Sequence, residues 1–181
     1  MKLLAVAGSV RKASLNKMLL ALASDVARRK GAEVKVVDLA DFEMPLYSGD
    51  IEEKQGIPEA ANKLKELFNS VDGIIISAPE YNFSVSGVLK NAVDWTSRIK
   101  PQPFKQKHIL LMSASPSMVG GNRGLWSLRI PLESLGAFVY PEMFSLAVAH
   151  EAFDIKGGLK DANLSSILKS NIEGFLGHIA K

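Results

Sequence analysis

The chain has 181 residues, no cysteine, a formal net charge of +3, and a composition 47% apolar and 23% charged. That is enough to bury a substantial core as one domain, 1–181, with no sign of disorder. The missing cysteine excludes disulfides, thiolate nucleophiles and Cys-ligated metals, so any redox chemistry must be carried by a bound cofactor.

"KLLAVAG" (2–8) is a short continuous apolar run, as in a central parallel strand. Residues 15–30 carry Leu15, Met18, Leu19, Leu22 and Val26 on one stripe, predicting a helix that Gly31 stops. "AEVKVVDL" (32–39) is a second strand, and "DFEMPLYSGDIEEKQGIP" reads as a long polar loop. Pro58 suits the start of a helix reaching about Ser70. "GIIISA" (73–78) is a third strand, followed by the loop "PEYNFS" and a helix over about 86–98. "KHILLMSA" (107–114) is a fourth strand, leading through "SPSMVGGNRG" to a helix over about 124–135. "AFVYPEMFSL" holds a fifth strand interrupted at Pro141, and residues 161–179 form the last helix.

Five strands alternating with five helices predict an α/β fold, a doubly wound five-stranded parallel sheet with helices on both faces. Strand order 2-1-3-4-5 fits five strands, and ligands then bind at the carboxyl ends near the switch between strands 1 and 3. The loops 8–16, 79–86 and 113–123 should therefore meet.

The first loop, "GSVRKASLN", crowds Ser9, Arg11, Lys12, Ser14 and Asn16 ahead of a helix N-terminus. Free N–H groups and the helix dipole favour an anion there, and the side chains add hydroxyl, amide and guanidinium donors. Gly8 permits a close turn out of the strand. Capping by Ser14 explains one hydroxyl but not the density of donors. The segment lacks the second glycine and the Gly-Lys-Ser/Thr order of a P-loop, and also the Gly-x-Gly-x-x-Gly of a dinucleotide site. One glycine and many side-chain donors suit a terminal monophosphate, as in flavin mononucleotide (FMN).

"GSVRKASLN" resembles the Gly-Ser-x-Arg-x-x-Ser-x-Asn motif of the NAD(P)H-dependent FMN reductase family, within the flavodoxin-like fold. "PEYN" (79–82), backed by "SGVLKNAVDW", is similar to that family's second motif, and the bacterial quinone and chromate reductases look nearest. The resemblance implies FMN and NADPH or NADH as cofactors, and a small-molecule acceptor: a quinone, or chromate, azo or nitro compounds. It implies cofactor contacts at Gly8, Ser9, Arg11, Ser14, Leu15 and Asn16, and around the ring system at Pro79, Glu80, Tyr81 and Asn82. Ser115, Gly120 and Gly121 follow as contacts at the flavin edge, small residues that let backbone approach a flat ligand. No catalytic side chain is implied, since the flavin carries the chemistry. The family commonly forms homodimers or homotetramers, with Phe83–Trp95 and the 43–58 segment as plausible contact surfaces.

Glu80 could instead face water. Arg123 could meet a nicotinamide phosphate or only solvate the helix entry. Lys90 and Asp94 read as an i,i+4 pair, Trp95 as packing, and Asp38 as structural. The scattered Lys and Arg argue against a nucleic-acid partner. His108, His150 and His178 lack ligand spacing, so no metal centre is expected. No signal peptide or membrane span is read, so a cytoplasmic protein without a membrane partner is expected. A flavodoxin-type electron carrier, a nucleoside-processing enzyme with Glu80 as nucleophile, and a phosphate-ligand sensor remain as alternatives.

Overall fold

A computed structural model describes residues 1–181. The strands of the main sheet are β1 (Lys2–Ala7), β2 (Glu33–Asp38), β3 (Gly73–Ser77), β6 (His108–Ala114), β7 (Phe138–Val139) and β8 (Phe144–Leu146). A separate two-stranded hairpin is formed by β4 (Glu80–Tyr81) and β5 (Ser84–Val85). The helices are α1 (Leu15–Arg29), α2 (Gly49–Gln55), α3 (Glu59–Asn69), α4 (Gly87–Ser97), α5 (Asn122–Ser134), α6 (Ala149–Ala152) and α7 (Ala162–Ile179). No helix is long and apolar enough to cross a membrane.

The sheet runs β2-β1-β3-β6, and both β7 and β8 pair with β6 in parallel. Taking β7 and β8 as two halves of one interrupted strand, this is the 2-1-3-4-5 order of the flavodoxin-like fold. The break falls where expected, because Pro141 has no N–H to give the ladder. One register row aligns Val36, Ala5, Ile75 and Leu110. Because side chains alternate along each strand, Leu3, Ala5, Ile75 and Leu110 pack beneath α1 and α7, while Leu4, Ile74 and Ile109 pack beneath α3, α4 and α5. Covered on both faces, β3 is buried at every position. Each such aliphatic side chain contributes roughly 1.5–3 kcal/mol by leaving water.

Three segments depart from the sequence reading. The 43–58 stretch is not simply a loop: α2 forms there, and its Glu52 pairs with Arg98 at the end of α4. Trp95, fully buried, donates from Nε1 to the Pro45 carbonyl at 2.7 Å and meets the Tyr47 ring edge-on at 5.0 Å. Asn91 adds two bonds, accepting from Tyr47 N at 2.9 Å and donating to Pro45 O at 3.0 Å. Second, "PEYNFS" contains a hairpin whose turn residues, Asn82 and Phe83, both have left-handed backbone (φ +50° and +63°). That is the backbone sense a two-residue hairpin turn requires, and Asn tolerates it better than most residues. Third, α6 adds a turn of helix after β8.

Candidate active site

The three central strands end at one edge, where their loops form a cleft. It is lined by Ser9, Arg11, Ser14, Leu15 and Asn16 after β1, by Pro79, Glu80 and Tyr81 after β3, and by Ala114, Ser115 and Pro116 after β6. A larger hollow of about 610 Å³ lies between α1 and α7 among Arg29, Lys30 and Lys169. None of the three loops reaches it, so size alone does not mark the site.

The first loop leaves its donors unused. From Lys12 to Asn16 no backbone N–H finds an acceptor within the chain. Ser14 occupies the N-cap position of α1, yet its hydroxyl makes no cap bond, so the capping explanation fails. No acidic side chain occupies the first turn of α1 to answer the dipole. Arg11 and Lys12 are exposed and form no ion pair, whereas Lys17, one turn further on, is held by Asp38. Burial pushes the Asp38 carboxyl upward, but the Lys17 ammonium and the Ala40 N–H outweigh it and hold the acid below its ordinary range. Asp38 is thus engaged within the fold.

Asn16 departs from its expected role. It is buried, its Oδ1 accepts from Ser77 Oγ and from Ala114 N at 3.0 Å each, and its Nδ2 donates to Ala114 O at 2.9 Å. The side chain thereby ties the ends of β3 and β6 to the start of α1 and does not reach out to an anion. What Asn16 can offer a ligand is its backbone N–H.

Several other expected contacts are also explained by the protein itself. Gly8 lies behind the cleft: a Cβ there would come 2.9 Å from Leu89 Cδ2, and its carbonyl accepts from Ser86 Oγ at 2.7 Å. Ser86 is therefore not spent on capping α4, in contrast to the capping role its position suggests. Gly120 and Gly121 have left-handed backbone, but what approaches them is protein. A Cβ on Gly120 would lie 2.9 Å from backbone of Ser145–Ala147, and one on Gly121 only 2.0 Å from Ser113 Oγ. Neither glycine lines the cleft, nor does Asn82, which serves the hairpin turn.

Glu80 does not face water. Its side chain is 9% exposed, it accepts from Gly124 N at 2.9 Å, and Arg123 Nη1 lies 3.8 Å away. The Arg123 guanidinium also covers the Phe83 ring, 4.5 Å from its centroid. Ala114 and Pro116 line the cleft without having been foreseen. Their signal was positional, the carboxyl end of a central strand, since neither side chain carries a polar group.

The arrangement offers an anion nest at the first crossover beside a shallow floor of backbone and Tyr81, the latter 48% exposed. Comparison with known proteins agrees with that chemistry. The model of the NADPH-dependent FMN reductase family matches residues 1–151. A quinone reductase of Escherichia coli is 33% identical over 170 residues, which are 93% of this chain and 89% of the relative. An NAD(P)H-dependent FMN reductase of Pseudomonas aeruginosa is 32% identical over 174 residues, covering 95% and 91%. Among solved structures, the flavoenzyme NAD(P)H:(acceptor) oxidoreductase FerB of Paracoccus denitrificans superimposes with a TM-score of 0.83 at 26% identity, over 99% of this chain and 97% of the other. With both loop motifs on one sheet edge and a family match across most of its length, the chain belongs to the NADPH-dependent FMN reductase family.

Proposed function

We propose that the protein is an FMN-dependent oxidoreductase that takes hydride from NADPH or NADH and delivers it to a quinone or similar small acceptor. The observation that carries this reading is the run of unused N–H groups over Lys12–Asn16, flanked by the free Arg11 guanidinium and the uncommitted Ser14 hydroxyl. These groups suit a dianionic phosphate, with Arg11 adding a charge-assisted contact. Backbone of Pro79–Tyr81 and Ala114–Pro116 would border the ring system, with Tyr81 as the aromatic surface on the open side.

FMN, when bound, supplies the two-electron chemistry: one NAD(P)H, one proton and one quinone become NAD(P)⁺ and hydroquinone. The chain's part is to hold the phosphate, border the ring and leave one face open for nicotinamide and acceptor in turn. No side chain in the cleft is required as nucleophile or general acid. The position of Glu80, tucked against α5, also counts against the nucleoside-processing alternative.

We further place the contact with a second copy on the exposed apolar face of α5 and the hairpin. Phe83, Trp126 and Ile130 are 66%, 57% and 72% exposed there. The 43–58 segment, where Leu46 is 79% exposed, stays a second contact surface. Light scattering should then report a homodimer or homotetramer.

The test of function is NAD(P)H consumption with FMN present, with and without a benzoquinone. Turnover that requires quinone, with parallel double-reciprocal lines, is expected of an enzyme using one face twice. A protein that binds FMN but consumes no NAD(P)H would be a flavodoxin-type carrier.

A further inference from the structure

The hairpin β4–β5 is fastened to the first two turns of α5, one from each of its strands. On β4, Glu80 Oε2 accepts the Gly124 N–H at 2.9 Å, while Oε1 lies 3.8 Å from Arg123 Nη1. On β5, Val85 N donates to Ser127 Oγ at 2.9 Å. Gly124 lies in the first turn of α5, where N–H groups lack an intrahelical acceptor. The N-cap is Gly121, which has no side chain with which to supply one. Glu80 therefore caps α5 from another element, placing a carboxylate at the positive end of the helix dipole. The approach is close: a Cβ on Gly124 would lie 3.1 Å from both Cα and Cβ of Glu80 and 3.2 Å from Ser84 O. The same residue lines the cleft, between Pro79 and Tyr81.

We propose that Glu80 is a positioning residue for the flavin: its carboxylate, anchored beneath α5, sets the height at which the 79–81 backbone meets the ring. This rests on the FMN reading above. It assigns the side chain a task away from the ligand, with Arg123 holding the charge in place from outside.

A cap that only stabilised α5 would lower the melting temperature and leave flavin binding by the folded protein unchanged. The experiment is therefore an FMN titration by fluorescence quenching, together with the visible spectrum of the bound flavin, at a temperature where every variant is folded. Glu80→Ala is expected to raise the FMN Kd by about tenfold or more, the scale of a lost charged hydrogen bond, and to shift the visible band of the bound flavin. Glu80→Gln, which keeps an acceptor for Gly124 N, is expected to recover most of the loss and most of the spectrum. If Glu80→Ala does not fold, Ser127→Ala, which releases β5 from the next turn of the same helix, is expected to move the same band. Arg11→Ala should weaken binding but leave the band where it is, since it lies at the phosphate end.

An unaltered Kd and spectrum in Glu80→Ala would overturn the positioning role. A wild-type chain that takes up no FMN would instead overturn the functional reading beneath it, and the first titration tells the two apart.

Discussion

At the scale of single residues, the cleft separates groups left free for a ligand from groups spent on the fold. Arg11 is of the first kind, being exposed and unpaired. Its replacement by Ala should weaken FMN binding by about 1.5–3 kcal/mol, the worth of a charge-assisted bond, and leave the melting temperature unchanged. A titration beside a thermal melt checks both halves. Asn16 belongs to the second kind. Asn16→Ala would strand Ser77 Oγ and both polar groups of Ala114, so a loss of at least about 1–3 kcal/mol in urea unfolding is expected. The motif "GSVRKASLN" shows both residues equally plainly. Only the distance between Asn16 and Ala114, 98 positions apart in the chain, reveals which is structural.

At the scale of elements, the apolar runs and helical stripes of the sequence locate every strand of the main sheet and all five helices that flank it. Even the break at Pro141 is readable, because a missing N–H has a local consequence. What the sequence hides is short and held by distant partners. The β4–β5 hairpin docks on α5, and the stretch leading into α2 is held by Trp95 and Asn91 across the chain. Trp95→Phe keeps the ring packing but removes the bond to Pro45 O. It should cost about 1 kcal/mol and speed proteolysis within 43–58. The paired glycines have a cause inside the protein that the motif does not show: β8 backbone crowds Gly120, and Ser113 crowds Gly121. Gly121→Ala should destabilise the fold by roughly 1–3 kcal/mol through its left-handed backbone alone, with the Ser113 clash in addition. Denaturant unfolding would measure it.

At the scale of the whole molecule, the two ends of the sheet differ in character. The carboxyl end holds the cleft. The opposite end holds a cluster in which His108 meets His178 edge-on at 5.1 Å and Phe138 at 5.4 Å. Burial, then the neighbouring His178 and Lys107, hold the His108 imidazole below its ordinary value of 6.5. Below that value the unfolded chain takes up a proton that the fold resists. This contribution to stability is therefore whole above about 6.5 and is lost as the pH falls through the lowered folded value. The melting temperature should drop between pH 7 and pH 5, and His108→Phe should flatten that part of the profile. An equally steep profile in the variant would assign the acid sensitivity elsewhere.

If the first crossover grips a phosphate, as we propose, the protein must distinguish FMN from riboflavin, which lacks one. Titrated under the same conditions, FMN should bind about 100-fold more tightly or better, as two or more charged hydrogen bonds require, and Arg11→Ala should narrow the gap. Equal affinity for the two flavins, or none for either, would contradict the account.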